Sequence, residues 1–191
     1  MKLQEKTSII LIILLIVIIV VISIFVSVVS MSSYNALEHK YALQDVDQAL
    51  NRLHDDETSL SSIVADWGPW DDTYNYVQGN EPDYISGNLF PEAYKNLGVD
   101  LVVITNRQGQ IVYAGEYDDR NNTMVSLPAS LGQVLTPANP LLSLADPHNA
   151  TTGIVMLDGQ PLIAASRPIV HTDYSGTPQG VVIMGRYLDN E

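Results

Sequence analysis

The chain of 191 residues carries 22 Asp plus Glu against 9 Lys plus Arg, no cysteine, and a mean hydropathy of +0.09, an apolar average for so acidic a protein. A net charge of −13 repels nucleic acid and anionic lipid, and the lack of cysteine excludes disulfides, a thiol nucleophile and cysteine-ligated zinc or iron–sulfur centres. The apolar average has a single source. Ile9 to Val29 is 21 residues without a charge, long enough at about 1.5 Å per residue to cross a hydrocarbon core of about 30 Å.

Lys2, Lys6 and the amino terminus precede that run, and no basic residue follows it before Lys40. The positive-inside rule therefore expects residues 1–8 in the cytoplasm, 9–29 as a single transmembrane helix, and the remainder outside, extracellular or periplasmic. A cleaved signal peptide is the competing reading. Its apolar region is normally only about 7 to 15 residues and ends in a small-x-small site, whereas this run is longer and Val28 to Ser32 makes a poor site. Beyond residue 29 the chain holds 7 basic against 21 acidic residues, in a length that suits one domain with a helical extension.

Residues 30–66 are expected to form a long stalk helix, since Ser32 to Asp66 has neither Gly nor Pro and is rich in helix formers. Val46, Leu50, Leu53, Leu60 and Val64 make a heptad-like stripe, with Glu57 in an apolar place and Leu37, Tyr41 and Leu43 adding a less regular upper half. Two readings stand side by side: a stripe packed on its own domain, or a seam holding a homodimer continuous with the membrane span. The helix must end or kink at Trp67-Gly68-Pro69-Trp70, after which Asp71 or Asp72 caps a second short helix.

Asn80 to Asp83 reads as a turn and Tyr84 to Lys95 as mixed loop and short helix. From Val99 the period changes. Leu101 to Ile104 and Gln110 to Ala114 form a hairpin across the Asn106 to Gly109 turn, Glu116 to Thr123 is a polar loop, and Pro128 to Leu144 holds one or two short helices. Thr152 to Leu157 and Gln160 to Arg167 make a second hairpin around Asp158-Gly159, His171 to Gln179 is a loop, and Gly180 to Tyr187 is the last strand. Residues 67–191 are thus expected to be an α+β domain with an antiparallel sheet of about five strands, helices on one side, and a pocket between the two layers.

Both tryptophans of the chain fall in Trp67-Gly68-Pro69-Trp70-Asp71-Asp72-Thr73-Tyr74-Asn75-Tyr76, beside two acids and two tyrosines. This window resembles the signature of the fourth class of CHASE domains, the cyclase/histidine-kinase-associated sensory extracellular domains. Tyr84, Asn88-Leu89, Leu97-Gly98-Val99-Asp100, the Asn106 to Gly109 turn, Ile111-Val112-Tyr113, Arg167-Pro168-Ile169 and Gly185-Arg186-Tyr187-Leu188 extend the likeness from about Tyr34 to the end. The resemblance implies an extracellular PAS- or Cache-like sensor that lies between two spans and is followed by a HAMP segment and a kinase, cyclase or chemotaxis-type output. Here the sequence stops at Asp189-Asn190-Glu191, where that second span is expected, which fits either the front fragment of a longer receptor or a separate gene product without the effector; signalling by this chain alone would need a partner.

Chemistry agrees with a sensor. Indole and phenol rings beside carboxylates enclose a small organic ligand or a cation, so Trp67, Trp70, Asp71 and Tyr74 are the first ligand-binding candidates. Asp100 opens a strand and Arg167 closes one, and either can project a charge into the pocket mouth; Arg suits bidentate carboxylate recognition. Tyr84 and Asn88 complete the set. The competing reading makes the tryptophans anchors of the long helix and Asp71 an ordinary cap. No cofactor, metal site or catalytic residue is expected: His39, His54, His148 and His171 are scattered, and no GxSxG, P-loop, GxGxxG or HExxH occurs. The leading function is a membrane-anchored, ligand-binding sensor that relays through the long helix. Its rivals are an exported adaptor without a small ligand and, further off, an exterior enzyme.

Overall fold

The computed structural model describes residues 3–188, with the side chains of 3–10, 28–40, 42 and 43 outside the description. Helix α1 runs Leu3–Trp67 without interruption, joining the expected span and stalk in one element. Large apolar side chains from Leu11 to Val26 are all exposed. Among the described residues no helix is long and apolar enough to cross a membrane; the expected span, Ile9 to Val29, has side chains at both ends that lie outside the described residues, as do Leu37 and Leu43 of the stripe. Backbone contacts divide the chain into two units, Met1–Arg52 and Leu53–Glu191.

The second unit opens with the last four turns of α1 and continues through α2 (Asp71–Val77), α3 (Tyr84–Asn88), α4 (Pro91–Leu97), β1 (Leu101–Asn106), β2 (Ile111–Asp118), β3 (Thr123–Val125), α5 (Leu131–Val134), a 3₁₀ turn (Pro140–Leu142), β4 (Thr151–Leu157), β5 (Gln160–Pro168) and β6 (Gly180–Tyr187). The six strands form one sheet in the order β3-β2-β1-β6-β5-β4, and every pair is antiparallel. The expected hairpins are both present. In the β4–β5 turn Asp158 (φ 48°) and Gly159 (φ 84°) both take the left-handed region, the two-residue geometry that matches strand twist.

Two expectations need correction. Residues 116–125 are not one loop: β2 continues to Asp118 and the short β3 pairs with it, Glu116 opposite Val125 and Asp118 opposite Thr123, giving a sixth strand. Nor are the helices confined to one side. Val102, Ile104, Ile163, Ala165, Val182 and Met184 share one core with Leu60 and Val64 of α1, Tyr84 of α3, Leu89 just after it, and Tyr94 of α4. The alternate residues Leu101, Val103, Leu162, Ala164, Val181 and Ile183 face Leu131 of α5 and Leu141 of the 3₁₀ turn. The two central strands therefore read as unbroken apolar runs because both faces are covered.

Candidate functional site

The site begins where α1 ends. Gly68 N–H closes the last helical turn on the Val64 carbonyl at 2.9 Å, and the Gly68 carbonyl accepts from Val170 N–H at 3.2 Å, just past β5. A side chain at residue 68 would place Cβ 2.9 Å from Arg167 Cγ and 2.9 Å from the Pro168 carbonyl, so the backbone approaches the strand this closely only as glycine. Pro69 then forms a parallel bridge with Val170. The long helix is stitched directly to the end of the sheet.

Beyond that joint the rings close around Tyr84. Trp67 and Trp70 meet edge to face with centroids 5.5 Å apart, lie 6.4 and 5.8 Å from Tyr84, and Tyr76 stacks on the same phenol at 4.8 Å. Tyr84 is 1% exposed and its hydroxyl shares a 2.7 Å hydrogen bond with Thr73 Oγ1, which is wholly buried. Burial pushes the phenol well above its ordinary titration range. Both indoles are half-buried and pack against the core.

Asp71 does not cap α2. Trp70 occupies the cap position without a side-chain bond, and the Asp71 carboxylate turns to the β5–β6 loop. There Asp71 Oδ1 lies 2.6 Å from His171 Nδ1 and 3.4 Å from Thr172 N–H, while Thr172 Oγ1 accepts from Asp71 N–H at 3.2 Å. The hydrogen bond with His171 holds the carboxyl below its ordinary range. Tyr74, one turn along α2, lays its ring over His171 at 3.9 Å. Asp71, His171, Thr172, Asp173 and Ser175 line an open recess of about 450 Å³.

Arg167 is buried on the α1 face, one row from the joint. Its Nε donates to the Pro147 carbonyl at 2.9 Å and Nη2 to the His148 carbonyl at 2.6 Å, with Tyr174 Oη at 3.5 Å. His148 stacks on Tyr174 at 4.6 Å. The remaining candidates stand elsewhere. Asn88 donates from Nδ2 to the Tyr84 carbonyl at 2.9 Å and so finishes α3. Asp100 lies at the opposite end of β1, accepting from Tyr187 N–H at 2.7 Å and lining a second recess of about 260 Å³ with Glu116, Asp118, Asp119 and Tyr187.

The fold thus gathers Trp67, Trp70, Asp71, Tyr74, Tyr84 and Arg167 around one end of the sheet, spends the Asn88 side chain on the Tyr84 backbone, and leaves Asp100 at the other end. His171, Thr172, Tyr174 and His148 join the site without having been singled out. His171 reaches Asp71 across 100 residues of sequence, and no local pattern announces that pairing.

The CHASE4 domain matches residues 52–191. The chain is 32% identical over 167 residues to the "Methanogenesis regulatory histidine kinase FilI" of Methanothrix harundinacea (strain 6Ac), covering 87% of this chain and 19% of that protein. It therefore spans about a fifth of the length of that relative. Two crystal structures share the fold at 14% identity. The domain of a sensory box/GGDEF family protein from Vibrio parahaemolyticus superposes with a TM-score of 0.57 over 78% of this chain and 60% of its own. The extracellular domain of the histidine kinase vpHK1S-Z8 superposes with a TM-score of 0.54 over 78% and 57%. By its sequence match across the compact unit, the chain belongs to the CHASE4 domain family.

Proposed function

We propose that the chain is the sensory front of a membrane receptor of the histidine kinase type, that it binds a small exterior ligand at the end of α1, and that it relays the event through that helix. Ile9 to Val29 would cross the membrane once, with residues 1–8 in the cytoplasm and the CHASE4 domain extracellular or periplasmic; the uncharged run and the lysines before it support that reading. Val46 and Leu50, both exposed, offer the contact for a homodimer through the long helix. The output is supplied by another part of a longer receptor or by a separate signalling partner.

One observation carries the ligand-binding part. The last turn of α1 is hydrogen-bonded into the end of the sheet through Gly68 and Val170, and the Asp71–His171 recess opens beside that joint. A ligand that favours one packing of Trp70, Asp71 and Tyr74 acts directly on the helix, shifting it by piston, rotation or dimer rearrangement. The test is thermal unfolding of the full chain in lipid nanodiscs across amino acids, organic acids, amines and metal cations. A concentration-dependent rise in melting temperature that Asp71→Asn or Trp70→Ala removes, with the unliganded melt still cooperative, supports the reading. No rise from any class, or a rise indifferent to both substitutions, refutes it.

A further inference from the structure

Among the described residues Arg167 is the one charged side chain in the buried set, at 7% exposure. Buried charges in proteins are ordinarily paired with an opposite charge, because removal from water is so unfavourable. Among the described residues Arg167 has no such pair: the ion pairs engage Lys95, His171 and Arg186, and its own hydrogen bonds end on the carbonyls of Pro147 and His148 and on the Tyr174 hydroxyl. Supply is not the reason, since 21 acidic residues lie beyond residue 29. The described partners of this buried cation are two carbonyls and a hydroxyl rather than a carboxylate.

The cover over the guanidinium is built from exposed loops. His148 and Tyr174, which both contact the guanidinium, stack on each other at 4.6 Å, and Tyr174 holds a φ of 61°, a left-handed conformation disfavoured for a residue with a side chain. Each covering group stands on a segment without regular structure, 146–149 or 171–176, outside the strand ladders of the sheet.

We propose, on the footing of the ligand-sensing reading above, that Arg167 receives the carboxylate of a small organic acid. The carboxylate takes the guanidinium edge from the Pro147 and His148 carbonyls and lodges between the 146–149 loop and Tyr174. A planar, singly charged group suits the site: it matches the guanidinium fork, and the acidic domain around it repels more highly charged anions such as phosphate. The consequence for signalling is direct, because Arg167 Cβ and Cγ are the side-chain atoms that crowd Gly68 at the end of α1. Drawing the guanidinium toward a ligand moves the stem on which the helix rests.

The experiment is thermal unfolding of the full chain in nanodiscs with acetate and benzoate, their amides acetamide and benzamide, and inorganic phosphate, at fixed ionic strength. Benzoate is expected to raise the melting temperature by several degrees, benzamide and phosphate not at all, and Arg167→Lys to weaken the response at least tenfold with a cooperative unliganded melt. Equal shifts from acid and amide, equal shifts from benzoate and phosphate, no shift from either carboxylate, or an unchanged response in Arg167→Lys each overturn the inference. Should Arg167→Lys lose its cooperative melt, the Arg167 Nε–H resonance of the unaltered chain decides: movement with benzoate and none with benzamide supports the site, and immobility overturns it. A shift from an amine or a neutral compound that survives Arg167→Lys but not Asp71→Asn leaves the sensor reading standing while the carboxylate site falls. Silence from every class ends both.

Discussion

The hydroxyl pair at the centre of the ring cluster offers a quantitative test of what Tyr84 does. Tyr84 Oη and Thr73 Oγ1 are 2.7 Å apart, and the two residues are 1% and 0% exposed, so neither hydroxyl has water to fall back on. Tyr84→Phe strands the threonine hydroxyl, and Thr73→Val, nearly isosteric, strands the phenol; each is expected to destabilise by about 1 to 3 kcal/mol, the desolvation penalty of an unsatisfied buried group. In the double variant both partners are gone and the surroundings are apolar. Its loss should fall short of the summed single losses by roughly 0.5 to 3 kcal/mol. Urea unfolding of the full chain in micelles measures this through the indole signal, because both tryptophans of the chain touch Tyr84. Additive losses would show that the two hydroxyls are not coupled. A Tyr84→Phe chain of unchanged stability that has lost its ligand response would make Tyr84 a ligand contact instead.

Two further outcomes are expected. Gly68→Ala drives a methyl against the Pro168 carbonyl, which cannot rotate away, and overpacking of that kind destabilises by about 1 to 3 kcal/mol; a lower urea midpoint at unchanged slope checks it, and an unchanged midpoint shows that the joint is loose. Glu116→Gln tests the second recess. Burial and then the neighbouring carboxylates of Asp100, Asp158 and Asp118 raise the Glu116 pKa, against a lowering hydrogen bond from Tyr187 Oη at 3.0 Å. A raised carboxyl contributes stability that is complete below its unfolded pKa near 4.5 and disappears as pH climbs through the folded value. Glu116→Gln, neutral throughout and still able to accept from Tyr187, should therefore melt higher than the parent at pH 7 and converge with it toward pH 4. A difference that does not vary with pH would remove the titration as its cause.

Local chemistry made some elements legible and left others hidden. Gly180 to Tyr187 was readable to the residue because its apolar run is bounded by a polar loop, and the β4–β5 hairpin because Asp158-Gly159 demands one turn geometry. Strand β3 has no such signature: three residues become a strand only through pairing with β2. The second covered face was visible in principle, since Leu101 to Ile104 does not alternate as a half-solvated strand does, but nothing nearby says that Leu131 and Leu141 supply the cover. The same limit divides the site. The aromatic window is contiguous in sequence, whereas the groups that engage Asp71 and Arg167 come from loops brought near only by the sheet, His171 for one and Pro147, His148 and Tyr174 for the other.

The stripe on α1 divides along its length, and only its lower part packs on the domain. Leu60 and Val64 are fully buried in the domain core, while Val46 and Leu50 on the same stripe are 55% and 58% exposed. Glu57 sits at the change, where an apolar residue was expected, and its carboxylate meets Thr152 Oγ1 on the edge strand β4 at 3.5 Å. The neighbouring Asp56 pairs with Arg186 on β6, whose Nε also donates to the Gly98 carbonyl at 2.6 Å. Polar residues at 56 and 57 thus lock α1 to the sheet in the turn above its buried part. A helix fixed at Asp56 and stitched at Gly68 does not slide over the sheet freely, so any displacement imposed at the Trp67 to Tyr74 joint must be carried by α1 and β6 together. Asp56→Asn, by weakening one of those ties, is accordingly expected to dampen a ligand-driven movement of the helix more than it lowers ligand affinity, and spin-label distances along the helix in nanodiscs would expose the opposite result.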